Sequence, residues 1–314
     1  MKAALIRELG TLPEAAEVDD PVGDDVVEVV AAPLNPIDIA VGRGMHFSGH
    51  PQLPYVPGCE AVARRSGGGF VWLFSGGLGV SRNGAMAERV AIGDASAADV
   101  PEGADPAVAG ALGIAGLAGW LPVAWRAPVR EDDTVLVLGA TGTVGQVAVQ
   151  AAKARGAARI VAAGRNAELL ARAEQLGADA SIRLDDADGL VEAFRAAFDG
   201  TGPSYVFDPL WGEPGAAAVE AAAPGARIVQ LGQSAGATAT LTSAAIRFKQ
   251  LSIFGHTNYR VPPAELTAEY QRLVETAVAG DVTVDVEHVP LDDVPEAWQR
   301  QADGLAERKL VVVL

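Results

Sequence analysis

The chain has 314 residues, of which 49% are hydrophobic and 20% charged, and it carries a formal net charge of −16 at pH 7. Such a length and apolar share support a sizeable core and favour two domains, while a uniformly acidic surface repels nucleic acid and anionic membranes. With Cys59 as its one cysteine, the chain forms no intrachain disulfide, and no basic segment followed by an apolar core opens it, so a cytoplasmic location is expected.

Residues 1 to about 110 carry short strand-like runs, among them VVEVVAA (26–32) and MAERVAI (86–92), separated by Pro and Gly clusters and lacking helical periodicity. This part reads as a β-rich domain. The apolar stretch from Ala107 to Trp125 comes closest to a membrane span, but it is rich in Gly and Ala and interrupted by Pro122, which fits a buried, tightly packed helix. From Thr134 the pattern becomes apolar strand, small-residue turn and Ala-rich helix, repeated: TVLVLG then 143–156, ARIVAAG then 166–176, SYVFD then 214–223, ARIVQLG then 242–250, and LSIFGHT. Strands alternating with helices predict parallel pairing in a doubly wound sheet, an α/β class. After residue 282 the runs VDVEHVPL and KLVVVL return to β character around one helix. The simplest assembly joins residues 283–314 to 1–112 and leaves 113–282 as an inserted nucleotide-type domain.

The stretch VLVLGATGTVGQVAVQAAKARGA (135–157) carries the main functional signal. A strand ending at Leu138 enters a turn through Gly139, Gly142 and Gly145, and a helix starts near Thr143 with free N–H groups and a partial positive charge, where a pyrophosphate fits. The spacing departs from G-x-G-x-x-G because Ala140 and Thr141 occupy the start of the turn, and a Gly-rich turn also serves merely to pack a strand on a helix. Strand, turn, helix and second strand in order, ending at Gly164-Arg165-Asn166, favour a dinucleotide. An NAD site usually carries an acidic residue at that second strand end to bind the ribose 2′-OH. Gly164 removes the carboxylate and Arg165 can pair with a 2′-phosphate, so NADPH is the expected cofactor. The alternative for Arg165 is a solvated arginine after a glycine turn.

Seven separated motifs, in one order, carry a resemblance: NPID (35–38), LPYVPGCE (53–60), NGAMAE (83–88), GLAGW (116–120), VLVLGATGTVG (135–145), GARIVQLG (225–232) and KLVVVL (309–314). Over nearly all of its length the chain resembles a medium-chain dehydrogenase/reductase of the zinc-independent quinone oxidoreductase type. The resemblance implies a GroES-like catalytic domain made from both chain ends, a Rossmann-type NADPH domain between them, and a cleft where hydride is transferred. Implied cofactor contacts are Thr141, Gly142, Thr143 and Val144 at the glycine turn, and Gly164, Arg165 and Asn166 at the second strand end. Further along they are Gly232, Gln233 and Ser234, then His256, Thr257 and Asn258. A homodimer is also implied, its sheet continued across a two-fold axis by residues 251–257.

In zinc-dependent relatives, the resemblance places a cysteine ligand at the position of Asn35 and a histidine ligand at that of Cys59. A catalytic zinc needs three protein ligands and an open position; His46, His50 and Cys59 are the available set, and Gly49 and Pro51 spoil their spacing, so no metal is expected. Without zinc, NADPH supplies hydride while the protein delivers a proton or hydrogen bond to the developing oxygen anion. Quinones and activated alkenes, including enoyl thioesters, suit this scheme equally. The resemblance sets Asn35 near the nicotinamide ribose and a tyrosine eleven residues on, where this chain has His46; these two are the catalytic candidates, with a structural or solvated His46 as the alternative. Trp211, in DPLWG (208–212), either narrows the cleft or packs in the core. A different class of function is also open: an NADPH-binding redox sensor or structural protein with little turnover.

Overall fold

Apolar runs of four to eight residues bounded by Gly and Pro build antiparallel pairs in the first third of the chain. In the computed structural model, which describes residues 1–23, 25–185 and 189–314, β1 (Lys2–Leu5) and β2 (Glu14–Glu17) form a two-stranded antiparallel sheet. Next come β3 (Val26–Pro33), helix α1 (Pro36–Gly42), β4 (Glu60–Arg64), β5 (Phe70–Phe74), β6 (Arg89–Ala91), β7 (Ser96–Asp99) and α2 (Pro106–Ala111). The chain then continues through two π-helical turns, Leu112–Gly116 and Pro122–Arg126, either side of α3 (Leu117–Leu121). Among the described residues the run Pro106–Arg126 is the one helix long and apolar enough to cross a membrane, and 78% of its apolar window is buried inside the protein.

The second part alternates strand and helix: β8 (Thr134–Leu138), α4 (Thr143–Ala154), β9 (Arg159–Gly164), α5 (Ala167–Leu176), β10 (Ala180–Arg183), α6 (Leu190–Ala196), β11 (Tyr205–Asp208), α7 (Gly212–Ala221), β12 (Arg227–Gln230), α8 (Ser243–Lys249) and β13 (Ser252–Gly255). All six strands are parallel in the order β10-β9-β8-β11-β12-β13. Strands covered on both faces read as continuous apolar runs, which is why β8, β9 and β11 stood out in the sequence. β10, with the half-exposed pattern of ASIR, and α6 did not.

The chain finally returns through α9 (Pro263–Val278), β14 (Val286–Pro290), α10 (Val294–Ala302) and β15 (Lys309–Val313). β15 pairs antiparallel with β3 and parallel with β14, giving the order β14-β15-β3-β4-β5-β7 with β6 against β3. Two compact units result: Met1–Ala115 with Val261–Leu314, and Gly116–Arg260. The return therefore comes earlier than residue 283. The cause is α9, whose Tyr270 is fully buried, stacks on Trp72 of β5 at 4.4 Å and donates its hydroxyl to Ala109 O at 3.2 Å.

In the parallel unit, the amino ends of β8, β11 and β12 are tied by one ionic network. Arg227 pairs with Asp133, which also accepts from Ser204 Oγ (2.9 Å) and Arg130 N (2.6 Å); a second Arg227 nitrogen donates to Pro128 O at 2.6 Å. Burial opposes ionisation of Asp133, but the hydrogen bonds from Arg227, Arg130 and Ser204 outweigh it and hold the carboxyl below its ordinary value. Removing one partner of such a buried pair strands the other, so Asp133→Asn is expected to lower the unfolding free energy by about 2–4 kcal/mol near neutral pH. For a depressed carboxyl, the stabilisation is complete above the unfolded value of about 3.9 and is lost as pH falls through the folded one. Urea unfolding of wild type and variant should thus show a gap at pH 7 that narrows at about pH 3; a gap that widens in acid would contradict the assignment.

Candidate functional site

In an open parallel sheet, ligands bind beyond the carboxyl ends of the strands where the strand order reverses, here between β8 and β11. The three glycines after β8 have different physical tasks. Gly139 adopts φ +65°, the left-handed turn conformation that favours glycine. Gly145 is buried, and a Cβ there would collide with Gly139 O and lie 2.6 Å from Ala140 Cα, so it lets α4 approach the turn. Gly142, the residue preceding α4, is exposed, and a Cβ on it would meet nothing closer than Gly139 O at 3.9 Å. The protein's own packing does not require glycine at 142, and the open space there lies directly before the first N–H groups of α4, at Thr143 and Val144.

The other candidates of this unit lie on the same edge. Gly164, at the end of β9, is buried against the Thr141 side chain, with which a Cβ would collide. Arg165 is exposed and makes no hydrogen bond or ion pair with another described residue. Asn166 spends its side-chain oxygen on capping α5, accepting from Glu168 N at 2.9 Å and Leu169 N at 3.1 Å. At the end of β12, Gly232 allows close approach to Pro209 O, and exposed Ser234 reaches the same carbonyl at 3.4 Å beside exposed Gln233. At the end of β13, His256 Nε2 lies 3.2 Å from Oδ1 of the buried Asn258, next to exposed Thr257. Burial pushes His256 down to about 4 against the opposing Asn258 hydrogen bond, so the ring is neutral at physiological pH.

Sequence reasoning missed two groups here. Arg183, which ends β10 in register with Gly164, sets a second guanidinium beside that strand end, paired with Asp185. Asp208, at the end of β11, is fully buried; Oδ1 accepts from Leu210 N and Trp211 N at 2.8 Å each, and Oδ2 has no partner. Burial pushes this carboxyl up against those two hydrogen bonds. Trp211 is half-buried in the turn that follows, held at φ +54°, and is not a core residue.

The unit formed by both chain ends holds a second constellation, fully buried. Asn35 directs its Nδ2 to Glu60 Oε1 (2.8 Å) and Pro33 O (3.2 Å), and its Oδ1 accepts from Lys309 Nζ at 2.6 Å. Glu60 Oε2 accepts from Trp72 Nε1 (2.8 Å) and Ile114 N (2.7 Å). Asp38 accepts from Asn35 N (2.7 Å) and Cys59 N (2.9 Å), while the buried Tyr55 hydroxyl has no partner. Burial pushes both carboxyls up, Glu60 to about 7, and the Lys309 ammonium down, while the mutual attraction opposes each shift. The Cys59 thiol is pushed well up by burial and by Asp38. Among the described residues, no group of three or more His, Cys, Asp or Glu side chains is arranged to hold a metal ion. Glu60 and Lys309 were not found from sequence: one follows a cysteine, and the other reads as the solvated start of a terminal strand.

The structure does not bring His46 into this cluster. It is half-buried in its own loop, its Nδ1 accepting from Ser48 N at 3.3 Å and its ring 4.5 Å from that of Phe47, between Met45 and Phe47, which are 76% and 94% exposed.

A protein-family model described as zinc-binding dehydrogenase matches residues 143–278. The chain is 29% identical over 314 residues to a phenolphthiocerol/phthiocerol polyketide synthase of Mycobacterium tuberculosis, covering 93% of this chain but only 14% of that protein. It is 28% identical over 263 residues to a quinone oxidoreductase-like protein 2 of Mus musculus, covering 81% and 74% of the two chains. Among solved structures, an NAD-dependent alcohol dehydrogenase superposes with a TM-score of 0.87 at 26% identity over 100% of both chains. A probable oxidoreductase from Mycobacterium abscessus gives 0.82 at 27% identity, covering 100% and 99%.

The division of labour among the glycines yields opposite expectations for two substitutions. Gly142→Asp supplies a good helix cap, so the apo protein should be unchanged or more stable by a few tenths of a kcal/mol, while dinucleotide affinity falls about 100-fold or more through charge repulsion at the helix start. Gly145→Ala should instead destabilise by about 1–3 kcal/mol. Thermal melts with fluorescence titration of a reduced nicotinamide dinucleotide check both; unchanged affinity in Gly142→Asp would remove this turn from the site.

Proposed function

We propose that the chain is a quinone oxidoreductase-like member of the medium-chain dehydrogenase/reductase superfamily, an NADPH-dependent, zinc-independent reductase acting on quinones or activated alkenes. The observation that carries this reading is the end of β9. Where an NAD site would hold a carboxylate, Gly164 has no side chain and Arg165 offers an exposed, unpaired guanidinium. This is a difference from what the name of the NAD-dependent structural relative would suggest. Arg183, on the adjacent strand end, is a second cation within the same neighbourhood.

The family description invokes zinc, but the matched residues 143–278 exclude Asn35 and Cys59, and the donors around those two do not fit a metal. Asn35 Oδ1 is taken by an ammonium, both Glu60 oxygens and both Asp38 oxygens accept hydrogen bonds, and the Cys59 thiol is held protonated. NADPH, when bound, supplies the hydride. Of the chain's own residues, Gly142 and the start of α4 would receive the pyrophosphate and Arg165 the 2′-phosphate. His46 is the candidate donor to the developing oxyanion: with Nδ1 accepting from Ser48 N, its remaining proton sits on Nε2. Asn35 has every amide proton engaged inside its own unit, so its part is to position α1. The apolar side chains beside His46 suit a flat, apolar acceptor.

The polyketide synthase similarity spans 93% of this chain and gives a specific reason to keep enoyl thioesters among the activated alkenes. β13 forms the opposite edge of the parallel sheet from β10 and exposes Ile253, which supports a homodimer with the sheet continued through it. A cytoplasmic setting agrees with a single buried thiol.

Loss of NADPH absorbance with a panel of quinones, enones and enoyl thioesters tests the reading, and tight binding with no turnover across the panel would favour a sensor instead. In Arg165→Ala, NADPH affinity should drop roughly ten- to a hundred-fold, the scale of a charge-assisted contact, with little change for NADH; equal losses would sink the assignment. His46→Ala should lower turnover by about 100-fold with NADPH affinity largely kept. Sedimentation at micromolar concentration should give twice 32.2 kDa, and a monomer would refute the edge-strand dimer.

A further inference from the structure

The turn after β11 holds a tryptophan in a conformation that packing alone does not explain. Trp211 has φ +54° and ψ −148°, backbone values that a bulky residue adopts only under strain. Gln250, also with positive φ, sits at ψ +45° in the ordinary left-handed well, so its turn is not strained in this way. Three neighbours hold Trp211 in place. Its N–H donates to Asp208 Oδ1 at 2.8 Å, its carbonyl accepts from Gly215 N at 3.1 Å, and its backbone bridges to Gly236 beyond β12. Glycine makes room on the α7 side: Gly212 follows at φ +59°, and a Cβ on Gly215 would lie 3.2 Å from the indole Cε3.

The side chain so placed is left with open valences. The indole is half-buried, and among the described residues it stacks on no aromatic ring, carries no cation and donates its Nε1 proton to no acceptor. Trp72, by contrast, both stacks and donates. The same turn walls the crevice between β8 and β11, because Pro209 and Leu210 pack on Gly139, 3.1 and 3.2 Å from where a Cβ on that glycine would stand. Strain is thus maintained at the ligand-binding end of the sheet to present an aromatic face that no protein group covers. We infer that Trp211 is a contact residue for the dinucleotide, its indole stacking on one of the two planar rings of the bound cofactor. The inference rests on the dinucleotide-binding part of the reading above and extends it from phosphate recognition to ring recognition. Either ring suits the site chemically, since both present a π face.

Equilibrium binding tests this without an acceptor substrate. Trp211→Gly removes the ring and relieves the backbone, so its apo melting temperature should stay within about 3 °C of wild type while NADPH affinity falls about tenfold, the scale of one stacked ring. Trp211→Phe keeps an aromatic face and should lose no more than about threefold. Contact itself is read by fluorescence. NADP⁺ does not accept tryptophan emission by energy transfer and quenches the indole it touches, so most of the quenching seen on saturating wild type should be absent in saturated Trp211→Phe. Adenosine 2′,5′-bisphosphate and reduced nicotinamide mononucleotide, titrated separately, identify the ring: only the half-molecule that carries it should bind more weakly to Trp211→Gly. Unchanged NADPH affinity in Trp211→Gly, or quenching that survives in Trp211→Phe, would overturn the inference and leave the dinucleotide reading intact. A melting temperature lowered by more than about 8 °C in Trp211→Gly would assign the indole to packing and overturn it as well. Wild type that binds neither NADPH nor NADH would remove both readings together.

Discussion

The Glu60 carboxylate is the point through which the discontinuous unit is joined. Its oxygens take hydrogen bonds from the start of α1 (Asn35), from β5 (Trp72) and from the end of the α2 helical run (Ile114), and through Asn35 it is coupled to Lys309 at the head of the last strand. Three segments thus meet on one buried side chain, and a fourth from the far end of the chain joins them through Asn35. A buried carboxylate is unfavourable unless it is hydrogen-bonded, and here that requires all three donor segments to be in place. The helical run bends to comply. Gly113 leaves helical geometry at ψ −114°, which frees the Ile114 amide, and no larger residue would fit there because a Cβ would collide with Glu60 Oε2 and Trp72 Nε1.

The parallel unit is organised on another principle. The middles of its central strands are apolar, so their polar chemistry lies at the strand ends. The amino ends carry the Asp133–Arg227–Ser204 network, internally satisfied and structural. The carboxyl ends carry groups that the protein leaves unfinished: the open position at Gly142, the solitary Arg165 and the unpartnered Asp208 oxygen.

Legibility in the sequence followed the same physics. β8, β9, β11 and β12 stand out because a strand buried on both faces is apolar through its middle, and Gly139 and Gly164 because left-handed backbone geometry or close approach needs glycine. The sequence could not say which glycines the packing requires; only the space around Gly145 and Gly142 separates the two. β10 escaped because an edge-proximal strand is half solvated, and α9 because its anchoring face depends on Trp72 and Ala109, far away in the chain. The Glu60–Lys309 association was hidden for the same reason: charged residues read as solvated until their partners, 249 residues apart in number, are seen to be buried together.

Cys59 carries a consequence of its own. Reagents and oxidants that attack sulfur do so through the thiolate, and this thiol is both buried and pushed toward its protonated form by the carboxylates around it. Peroxide, alkylating agents and exchange with disulfides therefore find no reactive cysteine on the native fold. If the protein reports on the redox state of its surroundings at all, the signal has to arrive through the ratio of reduced to oxidised nicotinamide and not through sulfur chemistry at cysteine. The same inertness makes any cysteine introduced at the surface a unique handle for covalent labelling.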